Sequence, residues 1–204
     1  MISADNLPSD RYTINNLLQP FLDEKVGLTC GRPIPTNPST SLTNRISSLI
    51  WHLHHKVSLS SPPKVGELIA FRNLIKEIPE DTLADEERIS AIIQRKGYKV
   101  VYVKDAVVYN KAPEKISELI EQRRRIFVGH LLIKKELGYI PPTLDLRRLT
   151  QVIMQEIKKN PLKILTISML SLVEIFSRIL GYLDFITGRY TSTWKICKTT
   201  KELF

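Results

Sequence analysis

The chain has 204 residues, 43% of them hydrophobic and 25% charged, which is enough for one domain with an appendage and excludes disorder of the whole. Thirty Lys and Arg against 21 Asp and Glu give a formal charge of +9, which suits a polyanionic partner: nucleic acid, phospholipid headgroups or a phosphorylated substrate. Two cysteines, Cys30 and Cys197, lack metal-ligand or redox spacing and read as free thiols in a reducing compartment, and Met1 to Pro8 carry neither the basic stretch nor the apolar core of a secretory signal.

Tyr12 to Leu22 has helical periodicity, and the short apolar run Val26 to Cys30 reads as a strand. Gly31 to Thr40, with Pro33, Pro35 and Pro38, reads as a loop, and Ser41 to about Leu59 as a helix stopped by Pro62-Pro63. Lys64 to Arg72 is a strand candidate. Thr82-Leu83-Ala84-Asp85 has a capping-box pattern opening a helix to Lys96, where Gly97 supplies a left-handed C-cap. Two short strands, Tyr98 to Val103 and Ala106 to Tyr109, are expected on either side of Asp105. Pro113 opens a long basic helix to about Leu137, and helices near Leu144 to Lys159 and Leu162 to Ile186 precede a polar tail with Trp194. Strands alternate with helices in the first half and helices alone fill the second, so the expected class is α/β with a helical C-terminal appendage.

Leu162 to Ile186 is long enough to cross a bilayer if helical. Glu174 and Arg178 stand i, i+4 on one face with Ser171 and Gly181, and Asp184 lies near the far end. Such a stripe lies in a membrane interface, spans beside a partner helix, or packs inside the protein. The basic flanks would attract anionic lipid, which favours membrane contact.

Several residues stand in a series: Gly66-Glu67-Leu68-Ile69-Ala70-Phe71-Arg72, Ile78-Pro79, Ala84-Asp85-Glu86-Glu87, Gly97-Tyr98-Lys99-Val100, and Gln122-Arg123-Arg124-Arg125-Ile126-Phe127-Val128-Gly129. In order and spacing this series resembles membrane-associated, inverting family-2 glycosyltransferases of the Rossmann-like GT-A fold. These carry a Gly-x-x-x-Ala-x-Arg strand, an acidic pair opening a helix, a Gly-Tyr turn and a Gln-x-x-Arg-Trp motif followed by Gly. The resemblance implies a truncated GT-A domain over residues 1–140 and a helical, partly apolar membrane appendage over 141–204.

Asp85 matches the family's general base, which would take the acceptor hydroxyl's proton as the anomeric carbon loses the nucleotide. Read alone, Asp85 is as well explained by a capping box with Thr82, with Glu86 and Glu87 complementing the helix dipole. Ala84 departs from the family's usual acid, which leaves Asp85 and Glu86 as alternatives for the base. Gln122 and Arg125 match the diphosphate-binding portion, since a guanidinium offers paired donors to phosphate oxygens. Gly66 and Arg72 are implied to join donor-diphosphate or acceptor binding. Taken in isolation, Arg123 to Arg125 read as a solvated basic face. Ile126 stands where the family has Trp, so the aromatic wall expected there is missing.

Ile2-Ser3-Ala4-Asp5 looks like the end of the strand bearing the family's Asp-x-Asp motif, with Ser3 at the first position. Asp5 would then ligate Mg²⁺ or Mn²⁺ on the diphosphate; without the resemblance it is a loop-start residue. A parallel βαβ unit takes ~30 residues, and only Met1 to Ala4 precede Asp5. The resemblance therefore implies a truncated or split enzyme, a start placed too late, or a remnant, with a separate donor-binding polypeptide as a candidate partner.

Trp51-His52-Leu53-His54-His55 is read as structural or acceptor-lining, because on a helix only Trp51 and His55 share a face. A nucleic-acid partner has composition alone behind it, without a recognition motif or aromatic platform. The expected function is transfer of a sugar from a nucleotide-diphosphate sugar to a lipid-linked or polysaccharide acceptor at the cytoplasmic membrane face. The alternative is a non-catalytic, membrane-associated fragment or remnant.

Overall fold

The computed structural model describes residues 1–3, 5–38, 40–193 and 198–200. Trp194 and Cys197 lie outside the described residues. The elements in chain order are β1 (Leu7–Pro8), α1 (Thr13–Leu18), β2 (Val26–Pro35), α2 (Leu42–Ser58), β3 (Ile69–Phe71), α3 (Asp85–Arg95), β4 (Lys99–Asn110), α4 (Ile116–Leu137), α5 (Leu146–Lys159) and α6 (Ile164–Thr187). The sheet has the order β1-β4-β2-β3, with β2 and β4 parallel and both outer pairings antiparallel. The α/β class expected from the alternation holds, with helices alone following β4.

The centre of the sheet departs from expectation in an instructive way. β2 runs on through Gly31, Pro33 and Pro35, where a loop was expected. Gly31 donates its N–H towards β3, to the Leu68 carbonyl at 2.9 Å, whereas Thr36 donates towards β4, to Asn110 at 2.8 Å. Pro33 and Pro35 share the parity of Gly31, so their missing N–H groups face the edge beyond Cys30 where β3 has already ended. β4 is likewise one strand rather than two. It changes register against β2 between the pairs Cys30↔Tyr102 and Arg32↔Val107, and the extra residues fold over Gly31. A Cβ on Gly31 would stand 2.5 Å from the Ala106 carbonyl, so only glycine permits that crossing.

The Thr82 capping box does not form. α3 begins at Asp85 with Ala84 as its N-cap and no side-chain cap bond, while Thr82 Oγ1 is buried without a hydrogen-bond partner among the described residues. The cap account of Asp85 falls with it. Glu87, expected to complement the helix dipole, turns inward instead, where it takes Lys64 at 2.7 Å and the Tyr139 hydroxyl at 3.2 Å. Elsewhere the helix ends are capped locally, and Gly97 acts as read. Ser41 caps α2 by accepting from the Asn44 N–H at 3.1 Å, Asp145 caps α5 by accepting from Arg148, and Gly97 ends α3 at φ +84°. Pro20 closes the first helix early, converting its end to a 3-10 turn, Gln19–Leu22.

One core lies between the sheet and α3, built from Leu28, Cys30, Val65, Ile69, Ile89, Ile93 and Val100. A smaller one seats α1 on the other face through Leu17, Leu68, Ala106 and Val108. A third joins the helices, with Ile46, Leu49 and Leu53 of α2 against Leu119 of α4 and Ile167 and Leu170 of α6. Cys30 is a buried free thiol, its ionisation pushed up by burial.

The polar stripe of α6 meets α4. Glu174 takes Arg123 at 2.5 Å and Arg178 at 3.3 Å, and Asp184 takes Arg124 through both of its oxygens. Gly181 sits where a Cβ would lie 2.9 Å from the Arg124 carbonyl, so the two helices approach at backbone distance. The opposite face stays open: Leu165, Leu172 and Ile175 are 67%, 69% and 57% exposed. Pro161–Thr187 is long and apolar enough to cross a membrane.

Candidate functional site

The N-terminal segment lies antiparallel to the approach to β3. The Met1 amine donates to the Ile69 carbonyl at 2.8 Å, Ile69 N–H returns a bond to Met1 at 3.0 Å, and Ser3 N–H donates to Glu67 at 3.1 Å. Asn6 Nδ2 donates to Glu67 Oε2 at 2.7 Å. These bonds hold Ser3, Asp5, Asn6 and Glu67 along one wall of a cavity of about 560 Å³. The lining also takes Glu118, Glu121, Gln122, Arg124 and Arg125 from α4, Lys111 just past β4, Asp184 of α6 and Arg189 beyond it.

Of the residues singled out in the sequence, Asp5, Gln122 and Arg125 therefore reach one cavity despite their separation along the chain. Arg125 donates Nη2 to the Ser192 carbonyl at 2.8 Å, and burial pushes its ionisation down to about 10, opposed by the carboxylate of Asp85. Asp85 is exposed at the first turn of α3, outside the cavity lining but near enough for its charge to act on Arg125. The closeness of α3 to α4 depends on Gly129, whose Cβ would fall 3.0 Å from Ala84 Cβ and 3.3 Å from Ala84 N.

Gly66 and Arg72 stand elsewhere. Gly66 packs near His54, and the Arg72 guanidinium is spent on the carbonyls of Val26 and Phe21, both at 2.8 Å, beside the Phe21 ring. The histidines of α2 diverge, as their spacing requires: His52 meets Glu156 at 2.8 Å, His55 meets the Tyr102 hydroxyl at 2.8 Å, and His54 is buried. Trp51 alone of that stretch lines the cavity.

Glu67 was not singled out in the sequence. It is the non-glycine residue with positive φ among those described, at +62°, a conformation that costs of order 1 kcal/mol or more. Burial raises its carboxyl, opposed by the Asn6 hydrogen bond, with Glu86 and then Asp5 among the remaining influences. The signal available was a charged residue directly after a glycine in an otherwise apolar run. Asn110, also unflagged, ends β4 on the cavity wall.

A divalent cation on a diphosphate takes one or two protein carboxylates and fills its remaining positions with phosphate and water oxygens. Asp5, with Ser3 and Glu67 on the same wall, offers hard oxygen donors of that kind. No group of three His, Cys, Asp or Glu side chains suited to a metal occurs among the described residues, so an all-protein cage is not what this site provides.

No family model matches the sequence, and no curated protein matches it. Among solved structures, the chain is similar to the mannosyltransferase PcManGT from Pyrobaculum calidifontis, solved in complex with GDP-Man and Mn²⁺, at 15% identity and a TM-score of 0.59. The match covers 93% of this chain and 62% of that one. The fold of this chain is thus one that a glycosyltransferase uses.

Proposed function

We propose that this chain is a glycosyltransferase of the inverting family-2 type, moving a sugar from a nucleotide-diphosphate sugar to a lipid-linked or glycan acceptor. The observation that carries this reading is the meeting of Asp5, Gln122 and Arg125 on one cavity, with the charge of Asp85 acting on Arg125, in a fold shared with a mannosyltransferase.

Asp85 accepts the proton of the acceptor hydroxyl, whose oxygen forms the new bond to the anomeric carbon. The bond from that carbon to the diphosphate breaks, and its electron pair leaves on the nucleoside diphosphate. Arg125 and Gln122 hold the departing charge, in a cavity where burial strengthens each interaction. Asp5 would hold Mg²⁺ or Mn²⁺, which when bound supplies Lewis-acid stabilisation of the leaving group. Glu86, one position on, is the alternative base.

The chain spans 62% of the length of its structural neighbour, so the donor nucleotide and the acceptor belong to the proposal. So does a separate donor-binding polypeptide, and so does the division into a catalytic region of residues 1–140 and a helical appendage of 141–204. Membrane association, at the cytoplasmic face, belongs to the proposal as well; the exposed apolar side of α6 supports the membrane contact. The arginine run that a nucleic acid would need faces α6 and the cavity instead.

Release of nucleoside diphosphate from a panel of UDP- and GDP-sugars, with Mn²⁺ and anionic vesicles, tests the reading. Asp85→Asn should lower turnover by about 10²–10⁴-fold, the usual worth of a general base. Undiminished turnover in that variant removes Asp85 from the role. A second reading, a non-catalytic membrane-associated fragment, draws on Ser3 and Ile126 standing where the family has Asp and Trp.

A further inference from the structure

The last turn of α2 is pinned to the centre of the sheet. His55 Nδ1 meets the Tyr102 hydroxyl at 2.8 Å, and Tyr102 pairs with Cys30 across β4 and β2. Three cations stand within two residues of this contact: Lys56 follows His55, Lys104 lies two past Tyr102, and Arg32 lies two past Cys30. Burial, and after it the charges of Arg32, Lys56, His52 and Lys104, push the ionisation of His55 down to about 4. Arg32, Lys56 and Lys104 have no ion pair or side-chain hydrogen bond among the described residues.

Lys56 suits the C-terminal end of α2, where the helix dipole favours a cation. Arg32 and Lys104 stand on strands and gain nothing of that kind. Lys104 falls in the stretch of β4 between the pairs Cys30↔Tyr102 and Arg32↔Val107. Like charges gathered without a carboxylate repel one another, and an anion held among them removes that cost.

The cluster adjoins the exposed apolar helix. His52, a turn earlier on α2, meets Glu156 at 2.8 Å, and Glu156 takes Lys163 at 2.5 Å, directly before α6. The exposed Lys158 and Lys159 end α5 at this joint, and Leu162 follows at 90% exposure. From there the open side of α6 carries Leu165, Leu172, Ile175, Ile179, Leu183 and Ile186, whereas Glu174 and Asp184 are spent on the arginines of α4. Basic groups bordering an uncharged apolar face match a bilayer, with phosphate at its surface and hydrocarbon beneath.

We propose that Arg32, Lys56 and Lys104 form a headgroup site for an anionic phospholipid, holding its phosphate while α6 rests on the hydrocarbon. Arg32 offers paired donors to two phosphate oxygens, and the two lysines add point charges. The inference rests on the membrane contact proposed above and adds which lipid the chain selects and which residues select it. A nucleic acid would meet the same cations but has no use for the apolar face beside them.

The test is co-sedimentation of the full chain with phosphatidylcholine vesicles, with and without phosphatidylglycerol. The parent should favour the anionic vesicles. Arg32→Gln, Lys56→Gln and Lys104→Gln should each weaken binding to them by about fivefold, the worth of one cation at an anionic surface, and leave binding to phosphatidylcholine unchanged. Lys104 is exposed and outside the ladder pairs, so its variant reports on the site with the fold undisturbed. Lys96→Gln removes an equal charge from the exposed end of α3 and should leave binding unchanged. Leu172→Gln combined with Ile179→Gln should weaken binding to both kinds of vesicle.

Vesicle binding that ignores phosphatidylglycerol, or that Lys96→Gln weakens as much as the three site variants do, overturns the headgroup site and leaves the membrane contact standing. Binding to no vesicle overturns both. Binding of inorganic phosphate or single-stranded DNA that the site variants weaken, in a protein that prefers no vesicle, gives the cations to another anion and overturns the lipid. Preference for anionic vesicles that the site variants lose upholds the site, whether or not sugar transfer is detected.

Discussion

Removing the carboxylate of Asp184 should undo part of the docking of α6 on α4. Asp184 accepts Nε and Nη2 of Arg124 through separate oxygens, the second at 2.5 Å, and this bond is the first cause of the raised ionisation of Arg124. The Asp184 side chain is 13% exposed and that of Arg124 is 39%, so the pair falls between two regimes. An exposed pair contributes ~0–1 kcal/mol, while stripping one partner from a buried pair costs ~3–5 kcal/mol. Asp184→Ala should therefore cost about 2 kcal/mol, discounted from the buried value for the solvent reaching Arg124. For a chain of this length that lowers the melting temperature by roughly 4–8 °C. Urea denaturation of the parent, Asp184→Ala, Arg124→Ala and the double variant gives the coupling directly, expected at about 1–2 kcal/mol. A loss under ~0.5 kcal/mol with no coupling would refute the view that this pair fastens the apolar helix to the domain.

The buried histidines give stability a pH dependence. His54 is pushed down to about 3 and His130 well below its ordinary value, each chiefly by burial and then by Lys64 and Arg123. The unfolded chain binds protons at these rings from about pH 6.5 downward while the fold does not. Their contribution is therefore complete above that pH and falls as pH drops towards 3, by about 1 kcal/mol per ring at pH 5.5. Urea titrations at pH 7 and 5.5 check this, and His130→Asn should flatten the slope. Thr82→Val should raise the melting temperature, since the buried hydroxyl has no partner among the described residues and a methyl of the same shape removes about 1 kcal/mol of desolvation cost; a fall in melting temperature contradicts the orphaned hydroxyl. Gly129→Val should displace Ala84 and the start of α3, lowering sugar-transfer turnover by at least about tenfold, and an unchanged rate would separate that contact from the chemistry.

Much of this arrangement is legible locally. Gly97 acts through its own backbone freedom, so its sequence signal and its structural role coincide, and the caps of Ser41 and Asp145 are bonds within three residues of the same local kind. The α/β class follows from the alternation of element types for the same reason. The ordered series from Gly66 to Gly129 pointed to Asp85, Gln122 and Arg125; the fold brings Gln122 and Arg125 to one cavity and leaves Asp85 outside its lining.

What the sequence could not supply are outcomes of contact between distant segments. Pro33 and Pro35 signal a loop unless it is known that β3 stops at Cys30 and leaves their side of the strand unpaired. Thr82 through Asp85 spell a capping box, yet the cap is unmade, and Ala84 packs against Gly129 of a remote helix. Arg123 and Arg124 look like a solvated face until Glu174 and Asp184 arrive from α6. Glu67 carries only the faint signal of a charge after a glycine, and Asn110 carries none, because what distinguishes them is a strained backbone and a buried, unanswered acceptor. Local hydrogen bonding and periodicity are written in neighbouring residues; burial, strand termination and charge pairing are decided only when the chain has closed on itself.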